Sequence, residues 1–317
     1  MLPQVIGVNA SQTHRQITNP SSHFFNLTPK SLHLHLMNIT FQHPQSLSDT
    51  LIAQLTHALP GELRRISPCC VKLENTLFDP NIRTRLTAEA QTAGIDIACL
   101  ERHYAWSDFK LLAMDMDSTV INIECIDEIA DMCGKKAEVA AITEAAMRGE
   151  ITDFNDSLRR RLAILAGADA SVLQRVLDER LQLNPGAEQL VTAAHAHGLQ
   201  TLLVSGGFTF FTDAVQKRLK LTHTRSNALE IIDGTLTGRV TSTIVNADVK
   251  AETVQAHCDA LNVPSSSAIC MGDGANDLTM MGISGLSVAY HAKPRVQAQA
   301  MLSFNHMGLD GLIQILN

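Results

Sequence analysis

At 317 residues, with 45% hydrophobic and 18% charged residues, the chain has the make-up of a folded protein large enough for a catalytic domain of about 200 residues and a smaller companion. Its net charge of -7 argues against nucleic acid, whose binding is driven largely by Lys and Arg neutralising phosphates. No apolar run reaches the roughly 18 residues of a membrane span, and the seven scattered cysteines form neither a disulfide framework nor a CxxC zinc pattern, so a reducing cytoplasm is the expected compartment.

Residues 1–30 carry Pro3, Pro20 and Pro29 among polar stretches without sustained periodicity, which predicts a flexible tail. From residue 31 to about 105 the pattern becomes short alternating runs, as in Leu32, Leu34 and Leu36, with helical spacing over Thr50 to Leu59 and Arg83 to Thr92. This predicts a small α/β domain, with an ACT-like regulatory module as the expectation. From 106 to 317, short apolar runs ending in Gly, Ser or Asp alternate with longer amphipathic stretches, the rhythm of a doubly wound parallel sheet. The predicted strands are Lys110 to Met114, Thr201 to Val204, Ala268 to Met271 and Leu286 to Ala289. Between the first two lies an insertion at about 123–190, too long for a simple crossover, which reads as a helical cap. Asp233-Gly234 between β-prone residues predicts a hairpin turn near the sheet edge.

Three of the strands end in chemistry. Asp115-Met116-Asp117-Ser118-Thr119 places two carboxylates where ligands sit in open α/β sheets, although D-x-D alone is more often turn or N-cap chemistry. In Ser205-Gly206-Gly207 the glycines let the backbone approach a ligand, and amides at a helix start suit phosphate; an ordinary βα turn reads the same way. Gly272-Asp273-Gly274-Ala275-Asn276-Asp277 brings two more carboxylates to the same edge, which is costly without a cation. A hard divalent ion answers that need, and Mg²⁺ is favoured because it takes oxygen ligands and bridges to phosphate. Lys250 lies between the last two motifs; at about 4 Å and an effective dielectric near 20, an ammonium beside a phosphate is worth roughly 4 kcal/mol.

In the cap, Phe154, Leu158, Leu162 and Leu165 recur at helical spacing and define an apolar face. Arg161 falls within that stripe, whereas Arg159 and Arg160 point away from it. An inward arginine requires a partner, either a substrate carboxylate gripped in bidentate fashion or a cap Asp or Glu. Met116, between two cleft-facing carboxylates, is expected to pack into the core.

The order D-x-D-S-T, S-G-G, Lys, G-D-G-x-N-D resembles the haloacid dehalogenase (HAD) superfamily over about two thirds of the chain, from near Leu111 to Asn317. The segments Glu124-Cys-Ile-Asp-Glu-Ile-Ala130, Ala146-Met147-Arg148-Gly149, Ser157-Leu158-Arg159-Arg160-Arg161 and Ala292-Lys293-Pro294 are similar to those of the branch that hydrolyses O-phosphoserine. The resemblance implies that Asp115 attacks phosphorus and becomes an aspartyl-phosphate, and that Asp117 serves as acid and then base. It implies one Mg²⁺ held by the Asp115 side chain, the Asp117 carbonyl and Asp273, with Asp277 orienting water or Lys250. Ser205, the Gly206 amide and Asn276 are then expected at the substrate, with Glu124 receiving the ammonium, Arg161 the carboxylate and Met147 walling the pocket.

The alternatives are a phosphatase or phosphotransferase for another small phosphomonoester, and a signalling domain that stores the phosphoryl group on its aspartate. Asp117 argues against the signalling domain, because an acid/base beside the acceptor speeds hydrolysis, whereas the rival enzymes share the same core and only the cap and acceptor site discriminate them. The sequence leaves a homodimer open.

Overall fold

The structure, a computed structural model, describes residues 35–317 apart from residues 58 and 79, so the tail expected over 1–30 lies outside the described residues. The chain enters through β1 (His35–Gln42), α1 (Asp49–Leu55), β2 (Glu62–Ser67), β3 (Cys70–Phe78), α2 (Pro80–Ala93) and β4 (Asp96–Leu100). These strands form an antiparallel sheet in the order β2-β3-β1-β4, a split βαβ arrangement. Ile39, Phe41, Val71 and Leu73 alternate along β1 and β3 onto one face and pack with Ile52, Leu55 and Leu86 of the helices. Ser48 starts α1 by accepting the Leu51 N–H at 3.2 Å, and the helix ends at Leu55 with Thr56 as its C-cap, short of the Leu59 expected from the sequence.

The larger part follows as β5 (Leu111–Met114), α3 (Cys125–Met132), α4 (Lys136–Met147), α5 (Phe154–Ile164), α6 (Ser171–Glu179), α7 (Ala187–Ala196), β6 (Gln200–Phe208), α8 (Thr209–Leu219) and β7 (His223–Asn227). It continues with β8 (Leu229–Ile232), β9 (Thr235–Val240), α9 (Ala247–Ala260), β10 (Ala268–Gly272), α10 (Leu278–Ile283), β11 (Leu286–Tyr290), α11 (Pro294–Gln297), β12 (Leu302–Phe304) and α12 (Gly311–Leu316). Six strands form one parallel sheet in the order β12-β11-β10-β5-β6-β7. Strands β5, β10 and β11 are buried at every residue, as strands covered on both faces must be.

All four predicted strands are present. The two not predicted are the edges: β7 reads His-Thr-Arg-Ser-Asn, too polar for an apolar-run signal, and β12 has three residues. Ser205-Gly206-Gly207, expected directly after the strand, lies inside β6, where the register with β7 shifts between Val204 and Phe208, and so is not an ordinary βα turn. The hairpin at Asp233-Gly234 turns through positive φ at both residues, as a two-residue turn of this hand requires. It forms its own two-stranded sheet and bonds to the cap, with Gly167 N–H donating to Leu236 O and Leu236 N–H to Ala168 O, both at 2.9 Å, rather than extending the large sheet.

Helices α3 to α6 make the cap; α7, at the end of the expected insertion, packs on β6 and α12 instead. In α5, Leu158, Leu162 and Leu165 are buried and Arg159 and Arg160 exposed, as the periodicity predicts. Each such leucine contributes roughly 1.5–3 kcal/mol. The small sheet is joined to the large part by packing of Ala98 and Leu100 of β4 into the large core and by side chains that bond main-chain groups across the seam. The buried Asp96 carboxylate accepts N–H bonds from Asn305, His306 and Met307 at 2.9, 3.0 and 2.8 Å, Gln42 donates to Gly311 O at 2.8 Å, and Lys72 donates to Ile315 O at 3.1 Å.

Candidate active site

Strands β10, β5 and β6 are neighbours, so the loops leaving their carboxyl ends meet above the centre of the sheet. Asp115 follows β5 directly, and its N–H continues the ladder by donating to Met271 O at 3.0 Å. Its Oδ1 accepts from the Met116 N–H at 2.8 Å and from Lys250 Nζ at 2.7 Å. Among the described residues no hydrogen bond engages Oδ2. The chain then turns through Ser118 at φ 54, a left-handed conformation that costs a non-glycine residue energy and is often found at functional sites. Met116 is fully buried in the core while Asp115 and Asp117 line the cleft, as expected.

Lys250 sits on the first turn of α9, which Asn246 caps by accepting the Val249 N–H at 3.0 Å. The ammonium is 0% exposed and bridges Asp115 Oδ1 and Asp277 Oδ1, each at 2.7 Å. Burial presses its pKa down, but the two carboxylates outweigh this and hold it above the ordinary lysine value, so the charge persists. Asp277 is spent on structure: its other oxygen accepts the Gly274 N–H at 3.0 Å. Asp273 receives the Thr119 hydroxyl at 3.3 Å.

Carboxylate oxygens of Asp115, Asp273 and Asp277 lie within 4.8 Å of one another. Three carboxylates against one ammonium leave the cluster short of positive charge. Burial, then Asp277 and Asp273, push Asp115 well above the carboxylate range against the pull of Lys250; burial, Asp277 and Glu124 lift Asp273 to about 7. An all-oxygen, over-acidic and largely buried donor set fits a hard divalent cation.

Asp117 projects toward β6. Its Oδ1 accepts the Cys125 N–H at 3.2 Å, and burial together with Glu124 raises its carboxyl to about 7. A Cβ on Gly207 would stand 2.6 Å from Asp117 Oδ2 and 3.0 Å from Ser205 Oγ, so only glycine admits these side chains at that point. Ser205 is fully buried, beneath the cleft rather than lining it, and its Oγ accepts the Gly207 N–H at 2.8 Å; Gly206 and Gly207 line the cleft themselves.

Above these groups the cap closes a cavity of about 840 Å³, lined by Glu124, Met147, Phe154 and Arg161 as well as Asp115, Asp117, Asp273 and Asn276. Phe154 reaches down to Gly206, where an added Cβ would meet its Cζ at 3.2 Å. Glu124 keeps surface open to the cleft and accepts the Ser118 hydroxyl at 2.7 Å; crowding by the cap nevertheless desolvates its carboxyl and raises it. Met147, at the end of α4, is 67% exposed at the cavity wall. The Arg161 Nε is buried without a hydrogen-bond partner, and among the described residues the guanidinium makes no ion pair within 4.0 Å. The salt bridge to a cap carboxylate, one of the two partners expected for it, is therefore not formed here. Burial lowers its pKa, opposed chiefly by Asp127 and Glu124.

The structure thus brings Asp115, Asp117, Lys250, Asp273 and Asp277 together, with Gly206 and Asn276 at the same cleft, Ser205 just below it, and Glu124, Met147 and Arg161 facing them from the cap. Sequence reasoning assigned no role to Thr119, Asp127 or Asn227. Thr119 and Asp127 stand inside motifs already quoted; Asn227 ends a polar run with nothing to separate it from a turn residue.

The family model for haloacid dehalogenase-like hydrolases matches residues 112–282, and the chain belongs to that family. Within it, a phosphoserine phosphatase from Polaromonas sp. is 56% identical over 214 residues, covering 66% of this chain and 91% of that one. The crystal structure of a probable phosphoserine phosphatase from Vibrio cholerae superposes with a TM-score of 0.74 at 35% identity over 89% of this chain and 86% of that one. A HAD family hydrolase from Salmonella enterica serovar Typhi gives a TM-score of 0.79 at 31% identity, over 89% and 98% of the two chains.

Proposed function

We propose that the chain is a phosphoserine phosphatase that hydrolyses O-phospho-L-serine to L-serine and phosphate. Relatives of that activity at high identity support the reading. The single structural observation that carries it is the pairing, in one cavity, of a buried acceptor carboxylate on Lys250 with an arginine whose Nε has no hydrogen-bond partner and which forms no ion pair within 4.0 Å among the described residues.

Asp115 is the nucleophile. Lys250 and the Met116 amide hold Oδ1, which leaves Oδ2 to attack phosphorus and form an aspartyl-phosphate. Asp117 gives its proton to the leaving serine oxygen and then takes one from the water that cleaves the acyl phosphate. Its carboxyl, near 7, suits both directions of transfer. The Ser205 hydroxyl, the Gly206 amide and Lys250 neutralise charge on the phosphoryl oxygens, and Asn276 faces the substrate from the β10 loop. Arg161 grips the substrate carboxylate, Glu124 takes the ammonium, and Met147 covers the apolar side. One Mg²⁺ would be held by Asp115, the Asp117 carbonyl and Asp273, and bound there it supplies positive charge to the phosphoryl group. Asp277 keeps Lys250 in place. Free serine as product makes this a terminal step of serine biosynthesis, in the cytoplasm.

A panel of phosphomonoesters assayed with Mg²⁺ and after chelation tests the reading. Phosphoserine is expected to exceed sugar phosphates in kcat/KM by about 100-fold or more, as a site built for buried charge pairs rejects analogues lacking them. A preferred sugar phosphate, full activity in chelator, or a long-lived phosphorylated protein would each overturn it.

A further inference from the structure

Asn227, at the end of β7, is 0% exposed and reaches two segments of the site at once. Its Nδ2 donates to Gly206 O at 2.7 Å, and its Oδ1 accepts the Val245 N–H at 2.9 Å. Both neighbours are main-chain groups of fixed polarity, so the orientation of the side-chain amide is determined. The need for it follows from the β6–β7 ladder. Regular pairing runs as far as Val204 with Arg225 and resumes only at Phe208 with Asn227, and the glycines between bulge out toward the cleft. A bulge leaves a main-chain carbonyl without its ladder partner inside the protein, and Asn227 supplies one.

The second bond leads to Lys250. Val245 directly precedes Asn246, whose side chain caps α9 and whose carbonyl accepts the Lys250 N–H at 2.9 Å. Gly206 also faces Val245, since a Cβ added at Gly206 would lie 3.5 Å from Val245 O. One buried amide therefore ties the glycine loop, with its amide at the phosphoryl group, to the helix that carries the ammonium.

We infer that Asn227 is a positioning residue for phosphoryl transfer: it fixes the Gly206 amide and the Lys250 ammonium relative to each other so that both meet the same phosphoryl group. The inference rests on the phosphatase reading above but concerns only its phosphate half, and it makes no contact with the cap groups that read serine. Displacement of a positioned group by about 1 Å can cost about 100-fold in rate.

The test is Asn227→Ala and Asn227→Asp in the full chain, the second retaining the acceptor for Val245 while losing the donor to Gly206. In variants shown to be folded by thermal melting, kcat is expected to fall about 10- to 100-fold, by the same factor on phosphoserine and p-nitrophenyl phosphate, with inhibition by L-serine unchanged. A role in stability alone would lower the melting temperature and leave kcat per folded enzyme within about twofold of wild type, which would overturn the inference. If neither variant folds, hydrogen exchange on the wild-type enzyme decides: inorganic phosphate with Mg²⁺ should protect the Val245 amide in step with the Gly206-Gly207 segment. Protection of the glycines alone would sink the coupling. Wild-type turnover of p-nitrophenyl phosphate without any of phosphoserine would defeat the proposed substrate and leave this inference standing, because each variant is compared with wild type on the same substrate.

Discussion

The two halves of the cleft are built on opposite plans. On the sheet side nearly every polar group already has a partner: Lys250 between two carboxylates, Asp277 on Lys250 and the Gly274 amide, Ser205 on the Gly207 amide. On the cap side the Arg161 Nε and the Asp127 Oδ1 are buried with no hydrogen-bond partner among the described residues, and Met147 stands exposed. A preorganised half lowers the barrier for any phosphomonoester, because its dipoles and charges need no rearrangement during reaction. An unsatisfied half selects, because only a ligand with the right charges relieves it.

Substitutions on the two sides should therefore fail differently. The largest effect is expected from Asp115→Asn, which removes the proposed attacking oxygen: turnover of every substrate should fall by about 10⁴-fold or more, read by phosphate release. The neutral amide also relieves the crowding of carboxylates, so melting in chelator should be no lower than wild type, while stabilisation by Mg²⁺ shrinks. Residual turnover near wild type would remove the sheet side from the chemistry. Next comes Arg161→Ala. Losing a charge-assisted pair worth roughly 1.5–3 kcal/mol should raise KM for phosphoserine about 10- to 100-fold and leave p-nitrophenyl phosphate turnover unaltered. Equal losses on both substrates would erase the distinction between the halves. The smallest is Arg160→Ala, one residue away. Arg160 is exposed and paired with Asp156 at 2.8 Å one helical turn back, so stability should move by no more than about 0.5 kcal/mol in a melt and kinetics should not change.

What could be read without coordinates follows the same division. Asp115, Asp273 and the glycines were legible because each closes an apolar run, and a parallel sheet puts all such ends on one side; the spatial convergence is a property of topology. Arg161 was legible because a helix has a fixed period, which placed it among Leu158, Leu162 and Leu165. The edge strands β7 and β12 were not, because β7 is polar along its length, with Ser226 and Asn227 buried nonetheless, and β12 spans only three residues, so neither leaves an apolar run. The bulge at Ser205-Gly206-Gly207 looks like a turn from sequence, since glycines signal departure from regular backbone without saying which kind. Asn227 escaped for a related reason: it partners main-chain groups of residues 206 and 245, and no local pattern encodes partners that distant.

The attachment of the small sheet carries an asymmetry of its own. Asp96, Gln42 and Lys72 grip amides and carbonyls of residues 305, 306, 307, 311 and 315, none of which contributes a side chain to the bond. Every amino acid but proline presents the same amide, and all present the same carbonyl, so these bonds make no demand on the side chains of the gripped stretch, whereas Met307, Gly311 and Ile315 are held by their burial in the large core. The seam thus binds its two sides by different means, side-chain chemistry in the smaller companion and close packing in the larger part.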